Sequence, residues 1–453
     1  MNNRVADVAR LREEIARNPK DRVAWHNLAA AFGDLGHAVQ AEDAARHALA
    51  LGIKAPETRL VLARSLQTQR RLDESERAYE EAIALRPAYV EAQRDLAQLV
   101  WMRSGDAQAA LRRLDKAIRA APRQGALHLV RSVVLEFAGD RAAALAAVET
   151  GLTRAGNDGA LLQQAARLAA EGGDTQRALD FAQRALALTP GAFAARSGFC
   201  EALLAAGRLE EAAALAASLC VVQPLNQYTL AMQATVWRLQ KDARYNAWYD
   251  YDALVVSQTL DVPPGYTHLG AFLDELTAEL GSLHRFHAHP LQQSVRGGSQ
   301  LHLQAAEFER PLIGALFGSI GAAVQAYLDR LGAGTDPVRA RNTGKAIFTG
   351  AWSVRLRSGG HHADHVHPQG WLSSACYIAL PPTIGSGLDE TDRAGWLRFG
   401  RPSFATTPPL GADHHVKPER GRLVLFPAYM WHGVEPFESE EPRLSVAFDV
   451  VPA

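Results

Sequence analysis

Four of the sixteen histidines in this 453-residue chain fall within eight positions, in the segment His361-His362-Ala363-Asp364-His365-Val366-His367-Pro368. Side chains two apart on an extended strand point the same way, so His365 and His367 can place two imidazoles on one metal ion. His362 and Asp364 repeat that spacing three residues earlier, but alternation turns them to the opposite face, so the two pairs cannot serve one ion together. A third donor, His432, follows the apolar run Gly421-Arg-Leu-Val-Leu-Phe-Pro427. Beyond it, Arg443 and Ser445 share one strand face, where a guanidinium and a hydroxyl can grip a carboxylate. Three protein donors on one side of a metal leave the opposite positions free for a bidentate cosubstrate and for O2.

Composition limits what else the chain can be. At 453 residues, 47% hydrophobic and 21% charged, it reads as two or three ordinary globular domains. A net charge of -1 gives no electrostatic reason to expect nucleic acid or an anionic membrane as partner. The N-terminus, Met1-Asn-Asn-Arg-Val-Ala-Asp, lacks the apolar core of a signal peptide, and no apolar run stands out as a membrane span, which together place the protein in the cytoplasm. Cys200, Cys220 and Cys376 are odd in number and far apart, the pattern of reduced core thiols rather than a disulfide framework or a thiolate metal site.

The elements that must position the histidines divide at mid-chain: four histidines precede residue 250 and twelve follow it. The first half is Ala- and Leu-rich and repeats itself. Small residues recur at Ala29, Ala63, Ala97, Ser132, Ala166, Cys200 and Ala234, every 34 or 35 positions, and a second series runs Ala48, Ala82, Ala117, Gly151, Ala185 and Leu219. Turn positions keep the register at Gly36, Arg70, Gly105, Gly139, Gly173 and Gly207. A small residue is needed where two helices of a pair cross closely, and glycine ends a helix where the chain reverses. This pattern resembles the tetratricopeptide repeat (TPR), and it implies an all-α solenoid over 1–240, six helix pairs and a partial seventh. The concave face of such an array, lined by the first helices, is expected to bind a peptide or protein. Arg64, Gln67, Arg94, Gln98 and Trp101 fall on that face by register.

An aromatic connector follows over 241–264. Tyr245, Trp248, Tyr249 and Tyr251 are interleaved with Asp242, Asp250 and Asp252, which argues against base stacking and for packing of the last helices onto the next domain. The C-terminal domain, 265–453, begins with helical segments near 268–283 and 305–333, separated by a polar loop containing Gln293-Ser-Val-Arg-Gly-Gly-Ser-Gln300, whose Gly-Gly lets backbone approach a ligand. Strand patterns then run over 352–356, 371–380, 396–399, 422–426 and 444–451, broken by Gly and Pro turns. They suggest a double-stranded β-helix, a jelly-roll or cupin-like barrel fronted by the two helices. His284, His287 and His289 read as a solvated loop, His414 and His415 as surface residues, and Trp352, Trp371, Trp396 and Trp431 as mostly barrel core, with Trp371 or Trp431 able to wall a pocket.

On Trp352-Ser-Val-Arg355, His365-Val-His-Pro368, Gly370-Trp-Leu-Ser-Ser374, Gly395-Trp-Leu-Arg-Phe-Gly400, Trp431-His-Gly433 and Arg443-Leu-Ser-Val-Ala-Phe-Asp449, the chain resembles the 2OG-Fe(II) oxygenases found fused to tetratricopeptide repeats in bacteria. These are related to prolyl-hydroxylase-like dioxygenases. The resemblance implies Fe(II), 2-oxoglutarate and O2, with His365, His367 and His432 as iron ligands, and Arg443 with Ser445 on the distal carboxylate of 2-oxoglutarate. Tyr377 is a further candidate for that carboxylate. The usual motif of such enzymes has Asp where this chain has His367. The position just before the Trp371 strand and the resemblance favour His365 and His367. His362 and Asp364 are the open alternative, and an Asp364 that is not a ligand could orient a histidine from behind. The implied reaction is hydroxylation of a peptide or protein side chain held with help from the repeats. A three-histidine iron dioxygenase that does not use 2-oxoglutarate, and a non-catalytic repeat scaffold, are the rival readings.

Overall fold

Helices form wherever the 34-residue pattern runs. In the computed structural model, which describes residues 2–384 and 392–453, the chain forms two compact units, Met1–Leu161 and Leu162–Ala453. The first is a run of helix pairs. Ala29, Ala63, Ala97 and Ser132, and their partners Ala48, Ala82 and Ala117, are buried at the crossings. Gly151 occupies the same slot because a Cβ there would stand 2.8 Å from that of His128. Each pair turns through a left-handed residue: Gly36, Gly105 and Gly139 have φ of 77°, 69° and 90°. Arg70 adopts the same conformation at φ 63° without glycine's freedom. Asp21, Asp106 and Asp140 cap helix starts by accepting backbone N–H groups.

The residues expected on the concave face are partly engaged within the unit. Asp95 accepts from both Arg64 (2.7 Å) and Arg94 (2.9 Å), Gln67 accepts from the Tyr79 hydroxyl (3.0 Å), and Trp101 is buried in the core rather than offered to a partner. Gln98 is half-buried. A groove with His26, Ala30, Leu60, Arg64, Thr68 and Tyr89 on its walls runs along the first helices.

The second unit holds the last repeats and one antiparallel, nearly barrel-like sheet. Its strands are β1 (Val256–Thr259), β2 (Val295–His302), β3 (Ala346–His365), β4 (Leu372–Ala379), β5 (Leu397–Phe399), β6 (His414–Val416), β7 (Arg422–Pro427), β8 (His432–Val434) and β9 (Arg443–Pro452). Their order is β1-β7-β4-β9-β3-β8-β5-β6, with β2 paired to β3. The helices Leu269–Leu283 and Pro311–Leu331 bury Phe272, Leu276, Ile313, Leu316 and Ile320 in the same core as Leu425 and Phe426. An all-α TPR array followed by a jelly-roll-type β domain is therefore the architecture.

Three expectations change here. The polar Gly-Gly segment is strand β2, not a loop: a Cβ on Gly298 would lie 2.3 Å from the Arg355 carbonyl, so its missing side chain admits neighbouring backbone of β3 and no ligand. The second helix is broken, Ala305–Phe308 and then Pro311–Leu331, because Pro311 starts a new helix at its first position. That helix is also apolar and long enough by composition to cross a membrane, contrary to the sequence reading. Its apolar face instead packs on the sheet core.

The last repeats pack on the sheet domain through named contacts. Thr407 donates its N–H to the Leu204 carbonyl (2.9 Å) and its hydroxyl to that of Ala205 (2.6 Å). Arg238 donates to the carbonyls of Gly400 and Gly411, both at 2.9 Å, and pairs with Asp413. Phe404 lines a groove with Ala195, Gly198 and Glu201 of the first helix Phe193–Ala205. The tyrosines of the connector join in: Tyr245 and Tyr251 both donate to Asp413.

Candidate metal centre

β3 carries its histidines to the sheet interior through an irregularity. Pairing with β8 matches His362 to Val434, then shifts, and resumes with His365 opposite His432. His367 lies just past the strand end, tied by its N–H to the Ala428 carbonyl (3.1 Å). The ring centroids of His365, His367 and His432 stand 4.2, 5.0 and 5.2 Å apart. One ligating atom from each lies within 4.8 Å of the other two.

Hydrogen bonds fix how these rings present themselves. Nδ1 of His365 faces the Ala363 carbonyl (2.9 Å), Nδ1 of His432 the Met430 carbonyl (2.9 Å), and Nδ1 of His367 the Asp449 Oδ2 (2.6 Å). Each partner is an acceptor, so Nδ1 carries a proton in each ring and Nε2 is the nitrogen left to face a metal. Burial, and then the neighbouring His367, push His365 down to about 3, and burial holds His432 well below the usual histidine range. Three imidazole nitrogens thus converge on one point, and burial keeps His365 and His432 in the neutral form a divalent metal requires.

Beside them lies a cation without an anion among the described residues. Arg443 begins β9 and is 2% exposed, and its Nε and Nη1 have no hydrogen-bond partner among those residues. Tyr377 on β4, opposite Ser445 of β9, is fully buried and its hydroxyl is likewise unpartnered. Burial raises that hydroxyl to about 12, so it remains a donor. The Arg443 guanidinium sits 5.1 Å from the Tyr377 ring centre. A buried guanidinium with two idle donors is costly unless an anion completes it. The donor set and these orphaned groups together fit a divalent metal with a carboxylate-bearing ligand, as iron(II) and 2-oxoglutarate would supply. Phe426, 4.6 Å from His432, and Trp352, 6.2 Å from His367, add aromatic walls.

The alternative pair is engaged elsewhere. Asp364 receives two bonds from Arg398 (2.8 and 3.1 Å) and one from Arg401 (2.6 Å), while Nδ1 of His362 meets the Ser294 hydroxyl. Asp364 therefore neutralises two arginines and bonds to no histidine among the described residues. The ion pair passes over Gly433, where a Cβ would be 2.7 Å from the carboxylate. Replacing Asp364 by alanine would leave the buried Arg398 with only Glu435 as carboxylate partner, an expected loss of about 3 kcal/mol in chemical denaturation, with metal stoichiometry retained.

Other histidines also differ from expectation. His284 is no solvated residue: its two nitrogens meet the buried hydroxyls of Ser299 and Ser353. His414 stacks on Tyr251 at 4.5 Å, and His415 pairs with Glu435, both half-buried on β6. Trp371 and Trp431 are core residues whose indoles donate to the Val338 carbonyl and the Thr235 hydroxyl.

Asp449 is the functional residue that motif reading passed over. Its signal was alternation: it lies an even number of positions from Arg443 and Ser445 along β9, hence on their face. A carboxylate behind a metal-binding histidine raises its basicity and locks its ring. Asp449→Asn is expected to weaken metal binding about 10- to 100-fold, read by titration with iron(II) or cobalt(II).

Comparison with known proteins agrees with this architecture. Residues 350–449, which include every residue of the cluster, match the family described as "Putative 2OG-Fe(II) oxygenase", and residues 169–221 match the tetratricopeptide repeat. The chain thus carries a TPR region and a 2OG-Fe(II) oxygenase domain, a combination that supports a dioxygenase. Among solved structures, pilF of Pseudomonas aeruginosa is similar at 20% identity and TM-score 0.32, over 43% of this chain and 89% of that one. A thermophilic TPR protein of Thermus thermophilus is similar at 23% identity and TM-score 0.32, over 40% and 99%. No curated protein matches the chain.

Proposed function

We propose that this protein is an iron(II)- and 2-oxoglutarate-dependent dioxygenase that hydroxylates an unactivated C–H bond in a side chain of a peptide or protein. The observation that carries the reading is the buried Arg443 guanidinium, whose Nε and Nη1 have no partner among the described residues, beside three converging histidines. His365, His367 and His432 would hold the iron. When bound, iron and 2-oxoglutarate supply the activation of O2, coupled to oxidative decarboxylation of the cosubstrate.

The chain's own residues do the positioning. Arg443, with Tyr377 and Ser445 around it, would take the distal carboxylate of 2-oxoglutarate through charge-assisted bonds, fixing the cosubstrate in one orientation. Asp449 fixes the orientation of the His367 ring through its Nδ1. Phe426 and Trp352 keep the surroundings apolar, which favours reaction with a C–H bond over loss of reactive equivalents to water. The repeats would engage the substrate, with the groove along His26, Leu60, Arg64 and Tyr89 as the stretch of first helices open to it.

The test is consumption of 2-oxoglutarate by the iron-loaded full chain, with succinate measured by mass spectrometry. Stoichiometric succinate, dependent on O2 and iron, is the expected result. Absence of succinate, with iron bound, would favour a second reading. That reading is a three-histidine dioxygenase without 2-oxoglutarate, supported by a histidine standing where the usual motif has a carboxylate.

A further inference from the structure

Two of the three clustered histidines hang on one short turn, and that turn is held from outside the sheet. Residues 428–431 join β7 to β8. The Ala428 carbonyl accepts the N–H of His367 (3.1 Å), and the Met430 carbonyl accepts the Nδ1–H of His432 (2.9 Å). Where this turn stands therefore decides where both rings stand.

The remaining polar groups of the turn are met mainly by the helical segment that precedes the sheet. The Tyr249 hydroxyl donates to the Tyr429 carbonyl (2.9 Å) and accepts the N–H of Trp431 (3.1 Å). The Tyr429 hydroxyl donates to the Trp248 carbonyl (2.7 Å), and the Trp431 indole N–H to the Thr235 hydroxyl (2.9 Å). Tyr249, Tyr429 and Trp431 are all at most 3% exposed, so no water can take over a bond that is lost.

We propose that Tyr249 is a positioning residue for the metal centre: its single hydroxyl bridges Tyr429 and Trp431 within the turn and thereby sets the meeting point of His432 and His367. Thr235, on the last repeat helix Gln227–Gln240, supports the same turn through Trp431. The inference rests on the three-histidine reading given above. It makes the end of the repeat array part of the scaffold of the catalytic site, beyond any role in holding a substrate.

The rival explanation is simple adhesion between helices and sheet, and a neighbour separates the two. Tyr245 lies in the same connector, stacks on Tyr249 at 4.7 Å and donates to Asp413 at 2.6 Å, yet makes no hydrogen bond to the turn. Full-length wild type, Tyr249→Phe, Thr235→Val and Tyr245→Phe are titrated with cobalt(II), following affinity and the visible d–d bands, alongside the melting temperature of the metal-free proteins. Tyr249→Phe is expected to bind cobalt about tenfold more weakly, as for loss of a bond that orients a ligand, with altered bands. Thr235→Val should move the same way, and Tyr245→Phe should match wild type in both readouts even if its melting temperature falls. Wild-type affinity and bands in both Tyr249→Phe and Thr235→Val would overturn the proposal. So would an affinity loss that tracks melting temperature across all three variants. If wild type itself takes up no cobalt, the three-histidine reading fails first and this inference with it.

Discussion

Arg443→Met should weaken 2-oxoglutarate binding by about 2–5 kcal/mol, roughly thirtyfold to several thousandfold, while raising the stability of the ligand-free protein. The two effects have one cause. In the absence of a ligand, Arg443 is a buried cation whose Nε and Nη1 find no acceptor among the described residues, and replacing such a charge with an apolar side chain of similar volume relieves its desolvation cost. With the cosubstrate present, the same donors form the charge-assisted fork that methionine cannot make. Calorimetric titration of the metal-loaded variant with 2-oxoglutarate, and a melting curve without it, check both signs. A guanidinium serving only as internal structure would show the opposite pattern, with stability falling and 2-oxoglutarate affinity unmoved.

His365→Ala should abolish stoichiometric iron(II) binding, a larger loss than the roughly 10–100-fold expected of a change behind a ligand such as Asp449→Asn. His365 is the ring common to the two shortest separations in the cluster, 4.2 Å to His432 and 5.0 Å to His367. Its removal leaves two donors, too few to hold a labile ion against water. The matching comparison is Asp364→Asn, one residue away, which should still bind one iron because that carboxylate is committed to Arg398 and Arg401. Iron retained by His365→Ala and lost by Asp364→Asn would move the metal to the other pair.

The repeats were legible in the sequence because several residue series share one period, and each series answers a separate physical demand. Small residues mark helix crossings, left-handed residues mark turns, and even Arg70 keeps the conformation its slot requires. The long, strongly alternating strands were legible for a similar reason. What escaped was short or irregular. β1, β6 and β8 span only three or four residues, too few for a period to register. β2 was hidden because Gly297 and Gly298 look like a turn, whereas Gly298 in fact permits contact with the backbone of β3. The pairing of Asp364 with Arg398 joins residues 34 positions apart across a shift in strand register, which no local pattern encodes. Tyr249 read correctly as a packing residue, but the hydroxyl that reaches the turn is a tertiary fact.

The contacts of Thr235, Tyr249 and Arg238 with the sheet domain bear on how this protein can be cut and recombined. A fragment beginning at the connector would keep Trp248 and Tyr249 but leave the Trp431 indole without Thr235 and Asp413 without Arg238, and the uncovered Trp431 would invite aggregation. Grafting the oxygenase onto a different array therefore requires carrying the terminal helices along with it. The earlier repeats could be exchanged in such chimaeras, while the three-histidine cluster travels as one piece with the later ones.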